Sequence, residues 1–170
     1  MTGARREEIS ALRWSEVDLE LAQIALKGDR TKSGEGHFIP LSPPALVVLA
    51  NAPRIAGSDV VFTLGGIKTV KSWTRTKVQL DALVPIEPWR IHDLRRTVAT
   101  GLQKLGLSLQ VVEAILGHIS GSRSGVVGIY QRHNYADEKR GALRAWGQYV
   151  MALVEDRPMG WAPRRERAPR

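Results

Sequence analysis

The sequence predicts a mainly α-helical domain with one small antiparallel β-sheet. Two observations predict this α+β class: a hairpin pattern of apolar residues and glycines over residues 17–41, and a series of helical segments from residue 92 onwards. The chain has 170 residues, of which 43% are hydrophobic and 25% are charged. This balance is typical of a globular protein that buries one core.

Six elements are predicted in the first half of the chain. In order, they are a helix at 4–16, strands at 17–26 and 37–41, a short helix at 43–50, an extended piece at 60–62 and a helix at 67–83. Thr2 is the candidate N-cap of the first helix. Apolar and polar residues alternate at the start of the first strand, and glycines punctuate the return to the second. Pro43 and Pro44 open the short helix, since proline is tolerated in a first helical turn.

Four helices are predicted in the second half, with glycines between them. They cover 92–105, 108–116, 124–131 and 136–155. The last helix has an apolar stripe at steps of three and four, formed by Leu143, Trp146, Val150 and Leu153. This stripe can pack on the core of its own domain or against a second copy of the chain.

The charge indicates a polyanionic partner. Lys and Arg number 25 against 17 Asp and Glu, which gives a net charge of +8, and such an excess is typical of proteins that bind nucleic acid. We expect a domain at 1–156 followed by a basic, disordered tail at 157–170, which is rich in arginine and proline. The sequence has no long apolar run and no secretory signal, so we expect a cytoplasmic protein with no membrane partner.

The sequence contains no pattern that indicates a metal site or a cofactor site. Cysteine is absent, which excludes disulfides, thiolate nucleophiles and cysteine-based zinc sites. The four histidines lack metal-binding spacing, and no glycine-rich loop of the phosphate-binding type is present. We therefore expect no metal and no cofactor.

Five features carry side chains suited to phosphate chemistry. They are Arg5 at a helix start, Lys32 at the hairpin turn, His92 and Arg95 one helical turn apart, His118 just beyond a helix end, and Tyr130. Taken singly, each residue is more often structural, because basic side chains on a basic protein are usually solvated or salt-bridged.

In this order, the five features resemble the catalytic set of the tyrosine recombinase (phage integrase) family. The likeness includes Thr-Gly-x-Arg-x-x-Glu at 2–8, Ile-His-Asp-Leu-Arg-Arg-Thr at 91–97, Leu-Gly-His-Ile-Ser at 116–120 and Tyr-Gln-Arg-His at 130–133. It extends over about residues 2–150. A His-x-x-Arg motif followed by a correctly spaced tyrosine is fairly specific, and all five features in register are much more so.

The resemblance implies a site-specific DNA recombinase catalytic domain, with double-stranded DNA as partner. Such enzymes cut one strand through a 3′-phosphotyrosine link, release a 5′-hydroxyl and then rejoin DNA. By position, Arg5 and Arg95 would bind the phosphate, Tyr130 would attack it, Lys32 would protonate the leaving oxygen, His92 would assist proton transfer at the tyrosine, and His118 would donate a hydrogen bond to the phosphate. Glu8 matches the family's structural acid.

Neighbouring residues compete for three of these roles. The competitors are Arg6 for Arg5, Lys27 for Lys32, and Tyr135 or Tyr149 for Tyr130. The family's spacing favours the first arginine, and the turn position favours the second lysine. The tyrosine motif favours Tyr130.

The resemblance also implies an N-terminal core-binding domain and self-association on DNA. We expect the core-binding domain to be missing here, because the chain begins at the first motif. Three functions therefore stay open. They are a bacterial or phage recombinase, a truncated prophage relic that binds DNA without efficient catalysis, and a strand relaxer similar to type IB topoisomerases.

Overall fold

The computed structural model describes residues 1–63, 65, 68–70, 73–84, 86–118 and 135–155. The helices within these ranges are α1 (Arg6–Ser10), α2 (Pro43–Ala50), α3 (Trp73–Leu83), α4 (Ile91–Lys104), α5 (Leu109–Leu116) and α6 (Ala136–Val154). The strands are β1 (Val17–Asp18), β2 (Gln23–Leu26) and β3 (His37–Pro40). The predicted class, mainly helical with one small antiparallel sheet, is confirmed.

The sheet has the order β1-β2-β3, and both pairs are antiparallel. Ile24 lies opposite Val17 on one side and Ile39 on the other. The single strand predicted at 17–26 is wrong, because a turn divides it. Asp18 Oδ1 accepts the Leu21 N–H at 2.8 Å, and this bond closes the turn between β1 and β2.

The first helix is shorter than predicted, because its second half bonds to another segment. The Trp14 N–H donates to the Asp59 carbonyl at 2.7 Å, and the Val61 N–H donates to the Leu12 carbonyl at 2.9 Å. Because of these bonds, residues 11–13 do not continue the helix. The same bonds confirm the extended piece near residue 60.

The N-cap of α1 also differs from the prediction. Arg5 occupies this position with extended φ and ψ, and its N–H donates to Glu8 Oε2 at 2.7 Å. The carboxylate of the first turn therefore satisfies a helix-terminal donor. The prediction of Thr2 as N-cap is wrong; its hydroxyl accepts the Ala4 N–H instead.

The remaining described helices follow the predictions, except that residues 68–70, which the sequence predicts to be helical, are not. Pro43 opens α2, and Ser108 caps α5 by accepting the Val111 N–H. The helix predicted at 124–131 and the tail at 157–170 lie outside the described residues.

The core lies between the sheet and helices α2, α4, α5 and α6. Its most buried members, each at most 1% exposed, are Leu12, Ile24, Ile39, Val61, Leu102, Ile115 and Leu143. The stripe of α6 contributes to this core, because Leu143 and Trp146 are buried while Leu153 is 55% exposed. Most of the stripe therefore packs on its own domain. No helix in the described part of the chain is long and apolar enough to span a membrane.

Close packing of α4 on α6 provides a test of this core. A Cβ on Gly101 would overlap the Trp146 ring. We expect Gly101→Ala to lower the free energy of unfolding by about 1–3 kcal/mol, because overpacking forces a buried ring to move. Urea denaturation measures the change.

Gly141→Ala on α6 is the matched control, since a Cβ there meets nothing within 4 Å. Alanine is a better helix former than glycine, so this variant should gain roughly 0.5–1 kcal/mol. Equal stability of the two variants would contradict the close approach of Gly101 to Trp146.

Candidate active site

The end of α5 presents three consecutive backbone carbonyls to side chains from three other elements. The last carbonyls of a helix have no partner within it and accept outside donors. The three bonds are His37 Nε2 to Ile115 at 3.1 Å, Arg95 Nη2 to Leu116 at 2.5 Å, and Arg5 Nη2 to Gly117 at 3.1 Å. The donors come from β3, α4 and the N-cap of α1, so this helix end joins distant parts of the sequence.

Gly117 lets the chain turn where these donors meet. Its φ of 60° and ψ of 39° lie in the left-handed region, which glycine enters at little steric cost. A Cβ at this position would come within 3.0 Å of the His37 ring. The turn before His118 therefore requires glycine for both its backbone conformation and the space around it.

Arg95 is the fifth residue of α4 and is buried. The helix begins at Ile91 because Asp93 Oδ2 accepts the Arg90 N–H at 2.8 Å. The Arg95 Nη1 donates to the Gly3 carbonyl at 2.6 Å. Burial, and then the nearby positive charge of Arg5, lowers the pKa of Arg95 to about 10. The guanidinium is still charged at neutral pH.

Arg5 is held beside Arg95 by the buried carboxylate of Glu8. Its Nη1 donates to Glu8 Oε1 at 2.9 Å, and Glu8 is 2% exposed. The negative charge of Glu8 partly offsets the repulsion between the two guanidiniums. Because the two guanidiniums bind adjacent carbonyls, they form a compact cationic pair.

This pair has donors to spare for an anion. A guanidinium carries five N–H groups, and the described bonds engage two side-chain nitrogens of each arginine. The planar fork of an arginine matches two oxygens of a phosphate. The pair is therefore suited to binding a phosphodiester.

Two histidines border this pair. The backbone N–H of His118 donates to the Glu113 carbonyl at 3.0 Å. The pKa of His118 is lowered, first by burial and then by the positive charges of Arg95 and Arg5. The lowered value favours a neutral imidazole, which can donate one hydrogen bond. His92 is exposed and lies one turn before Arg95 on α4.

A cavity of about 410 Å³ lies between the N-terminal segment and α4. Both His92 and Arg95 line it, together with Gly3, Trp73 and Ile91. Arg5, Lys32 and His118 do not line this cavity. The structure thus brings Arg5, Arg95 and His118 together at the α5 end, while His92 and Arg95 share the neighbouring cavity.

Lys32 lies in the connection between β2 and β3, where the hairpin pattern predicts it. Its side chain is exposed, and the structure gives no contact between it and the arginine pair. The competitor Lys27 is also exposed and lies at the start of the same connection. Tyr130 lies outside the described residues, so its place near the pair stays a prediction.

Both competing tyrosines take part in packing. Tyr149 stacks on Trp146 with ring centroids 5.4 Å apart. Tyr135 is partly buried against the core. Both side chains therefore contribute to the packing of the domain.

Sequence reasoning missed two residues that support the site, His37 and Arg30. His37 is 6% exposed, and its Nδ1 has no hydrogen-bond partner among the described residues. Arg30, which lies in the β2–β3 connection, donates a hydrogen bond from its side chain to the Glu16 carboxylate. The sequence offers no signal for either role, because the contacts of both depend on distant segments.

Metal ligands are not assembled in the described ranges: no group of three or more His, Asp or Glu side chains there could hold a metal ion.

Comparison with known proteins relates this chain to one family. The model of the phage integrase family matches residues 1–137. The chain is 38% identical over 128 residues to the prophage integrase IntF of Escherichia coli strain K12, covering 69% of this chain and 26% of that relative. It is 33% identical over 146 residues to the shufflon-specific DNA recombinase of Escherichia coli, covering 85% and 33% of the two chains.

Solved structures share the fold. The crystal structure of XerA recombinase matches with a TM-score of 0.60 at 22% identity, covering 92% of this chain and 54% of the other. The Tn1549 transposon integrase in complex with a circular intermediate DNA matches with a TM-score of 0.50 at 15% identity, covering 85% and 55%. The chain spans between 26% and 43% of the length of the curated relatives that it matches.

The buried imidazole of His37 makes stability depend on pH. Burial, together with the positive charges of Lys139 and Arg95 and despite the negative charge of Glu8, lowers its pKa from 6.5 to about 4. Between these values the unfolded chain binds a proton that the folded chain does not bind. Stability is therefore fully present above pH 6.5, and roughly 3 kcal/mol is lost as the pH falls towards 4.

We expect His37→Gln to remove this contribution, since glutamine does not titrate. Urea denaturation at several pH values between 4 and 7 should show a shallower slope for the variant than for the wild type. Parallel slopes for wild type and His37→Gln would contradict the burial of a neutral imidazole.

Proposed function

Since this chain belongs to the phage integrase family, we propose that it is the catalytic part of a site-specific DNA recombinase. The proposed reaction cleaves and rejoins DNA through a 3′-phosphotyrosine intermediate. The observation that carries the proposal is the pair of guanidiniums, Arg5 and Arg95, held on adjacent carbonyls at the end of α5 with His118 beside them.

The guanidinium pair suits the charge that develops during phosphoryl transfer. Negative charge spreads over the nonbridging oxygens in the transition state, and preorganised donors stabilise it without reorganising. Arg95 is fixed by two carbonyls, and Arg5 is fixed by Glu8 and one carbonyl. Neutral His118 adds a further donor in this proposal.

Proton transfer completes the proposed step. The Tyr130 oxygen attacks the phosphorus while the bond from phosphorus to the 5′-oxygen breaks. The phenolic proton leaves with assistance from His92, and the departing 5′-oxygen takes a proton from the Lys32 ammonium. One phosphodiester replaces another, so rejoining needs no outside energy source.

Double-stranded DNA is the proposed substrate and partner. The net charge of +8 favours a polyanion, and the similar Tn1549 integrase was solved in complex with a circular intermediate DNA. The proposal includes several copies acting together on DNA. It also includes a core-binding domain in the full-length protein, because the chain spans at most 43% of its curated relatives.

Covalent capture tests the proposal. The probe is a pool of duplexes with randomised central base pairs and a nick beside the scissile position, so that cleavage releases a short 5′-hydroxyl fragment and traps the protein. We expect the wild type to form an adduct that resists denaturing detergent. Tyr130→Phe should abolish the adduct and keep noncovalent binding, because only the nucleophilic oxygen is removed. Arg95→Ala should slow adduct formation by about 10²–10³-fold.

Tyr135→Phe is the matched control and should form the adduct at the wild-type rate. An adduct that survives Tyr130→Phe but not Tyr135→Phe would move the nucleophile. DNA binding without any adduct from the wild type would favour a relic, and relaxation of supercoiled plasmid without sequence preference would favour a strand relaxer.

The basic tail should contribute to the salt dependence of DNA binding. Residues 157–170 hold five arginines and one glutamate. Deleting them should flatten the plot of log affinity against log salt by about 0.9 for each phosphate that the tail neutralises. Fluorescence anisotropy with a labelled duplex measures the slope. An unchanged slope would show that the tail does not bind phosphates.

A further inference from the structure

Arg30 ties the loop that carries Lys32 to the end of α1. Its Nε donates to Glu16 Oε1 at 2.7 Å, and its Nη2 donates to the Ala11 carbonyl at 2.7 Å. The Arg30 and Glu16 side chains are only 24% and 12% exposed. Glu16 is itself held, because its Oε2 accepts the Arg13 N–H at 2.9 Å. This shielded, forked contact is stronger than an isolated surface ion pair.

The loop between β2 and β3 is internally bonded. The Thr31 hydroxyl donates to the Glu35 carbonyl at 2.7 Å, and the Gly34 N–H donates to the Thr31 carbonyl at 3.3 Å. A Cβ on Gly28 would overlap the Gly34 carbonyl, so the two sides of the loop are in contact. The placement of Arg30 therefore constrains the backbone at Lys32.

Helix α1 links this contact to the arginine pair. Ala11 is the C-cap of α1 and Arg5 is its N-cap, on either side of a helix of five residues. One end of this short element binds the carbonyl of Gly117, and its other end receives Arg30. Two bonds thus relate the Lys32 loop to the phosphate-binding cluster.

We propose that Arg30 is a positioning residue for the general acid, holding the Lys32 loop in register with Arg5. This inference rests on the proposed function. In the step concerned, Tyr130 oxygen bonds to phosphorus, the bond from phosphorus to the 5′-oxygen breaks, and the leaving oxygen takes its proton from the Lys32 ammonium. Lys32 is left as a neutral amine, and the freed phenolic proton restores its charge through solvent.

Replacing the leaving oxygen by sulfur distinguishes two possible roles of Arg30, positioning Lys32 and supporting the fold in general. In a duplex whose scissile 5′-oxygen is replaced by sulfur, the leaving group is a thiolate. Thiols have a pKa near 8.5, so this group departs without a general acid. A defect in proton delivery disappears with the sulfur duplex, whereas a defect in fold or phosphate binding stays.

The experiment uses the full 170-residue chain and a duplex selected by the covalent capture above, made with oxygen or with sulfur at the scissile position. We expect Arg30→Met to slow adduct formation on the oxygen duplex by about 10²-fold, as misplacement of a reacting group does. On the sulfur duplex its rate should return to within about threefold of the wild type. Lys32→Ala is the benchmark and should behave in the same way.

Two further variants keep the test interpretable. Glu16→Gln preserves the shape of the acceptor and should show a smaller loss with the same rescue, even if Arg30→Met folds poorly. Arg140→Met is the matched control, because Arg140 also bonds a carbonyl, that of Leu21, and a side chain of the sheet, that of Gln23. It does not contact the Lys32 loop, so sulfur should not improve it relative to the wild type.

The outcomes separate the inference from its premise. Rescue of Lys32→Ala without rescue of Arg30→Met and Glu16→Gln overturns the role of Arg30 and leaves the proposed function intact. Failure of sulfur to rescue Lys32→Ala removes the general acid, and the inference with it. Absence of any wild-type adduct on either duplex overturns both.

Discussion

The placement of two like-charged guanidiniums on adjacent carbonyls at the end of α5 is the constraint on which the site depends. Arg5 and Arg95 repel each other, and burial removes water that would screen them. The negative end of the helix dipole and the Glu8 carboxylate offset this cost. The pair therefore depends on the packing of α1, α4 and α5 against one another.

The small sheet contacts the α5 end that binds the arginine pair. β3 delivers His37 to the Ile115 carbonyl, one residue before the carbonyls that bind the arginines. Its ring lies against Gly117 and sets the space available to the turn. His37 directly follows the β2–β3 connection, which carries Lys32, and Arg30 ties that connection to α1. The small sheet thus contributes both to the α5 end that binds the arginine pair, through His37, and to the loop of the proposed general acid.

Local signals made α2, α4 and α5 predictable, because Pro43 opens α2 and the glycines at 106 and 117 follow the ends of α4 and α5. The prediction failed at residues 11–13 and at the break in 17–26, where bonds to Asp59 and Val61 and a capped turn override local pattern. The motifs singled out Arg5, Arg95 and His118, which the structure brings together at the α5 end. The contacts that hold this cluster could not be predicted, because the bonds of Arg5 and of the missed His37 to the α5 end span 112 and 78 residues.

Burial of Arg95 also explains why this position needs arginine rather than any cation. The environment lowers the pKa of the guanidinium to about 10, which leaves it charged at neutral pH. A lysine has a lower ordinary pKa than an arginine, and the same burial and the same positive charge of Arg5 would lower it further, towards loss of its charge. Its ammonium is also compact, whereas the guanidinium fork reaches both the Gly3 and Leu116 carbonyls while directing further N–H groups outwards. This buried position therefore needs a side chain that stays charged and can donate to two carbonyls at once, and arginine is the side chain that does both.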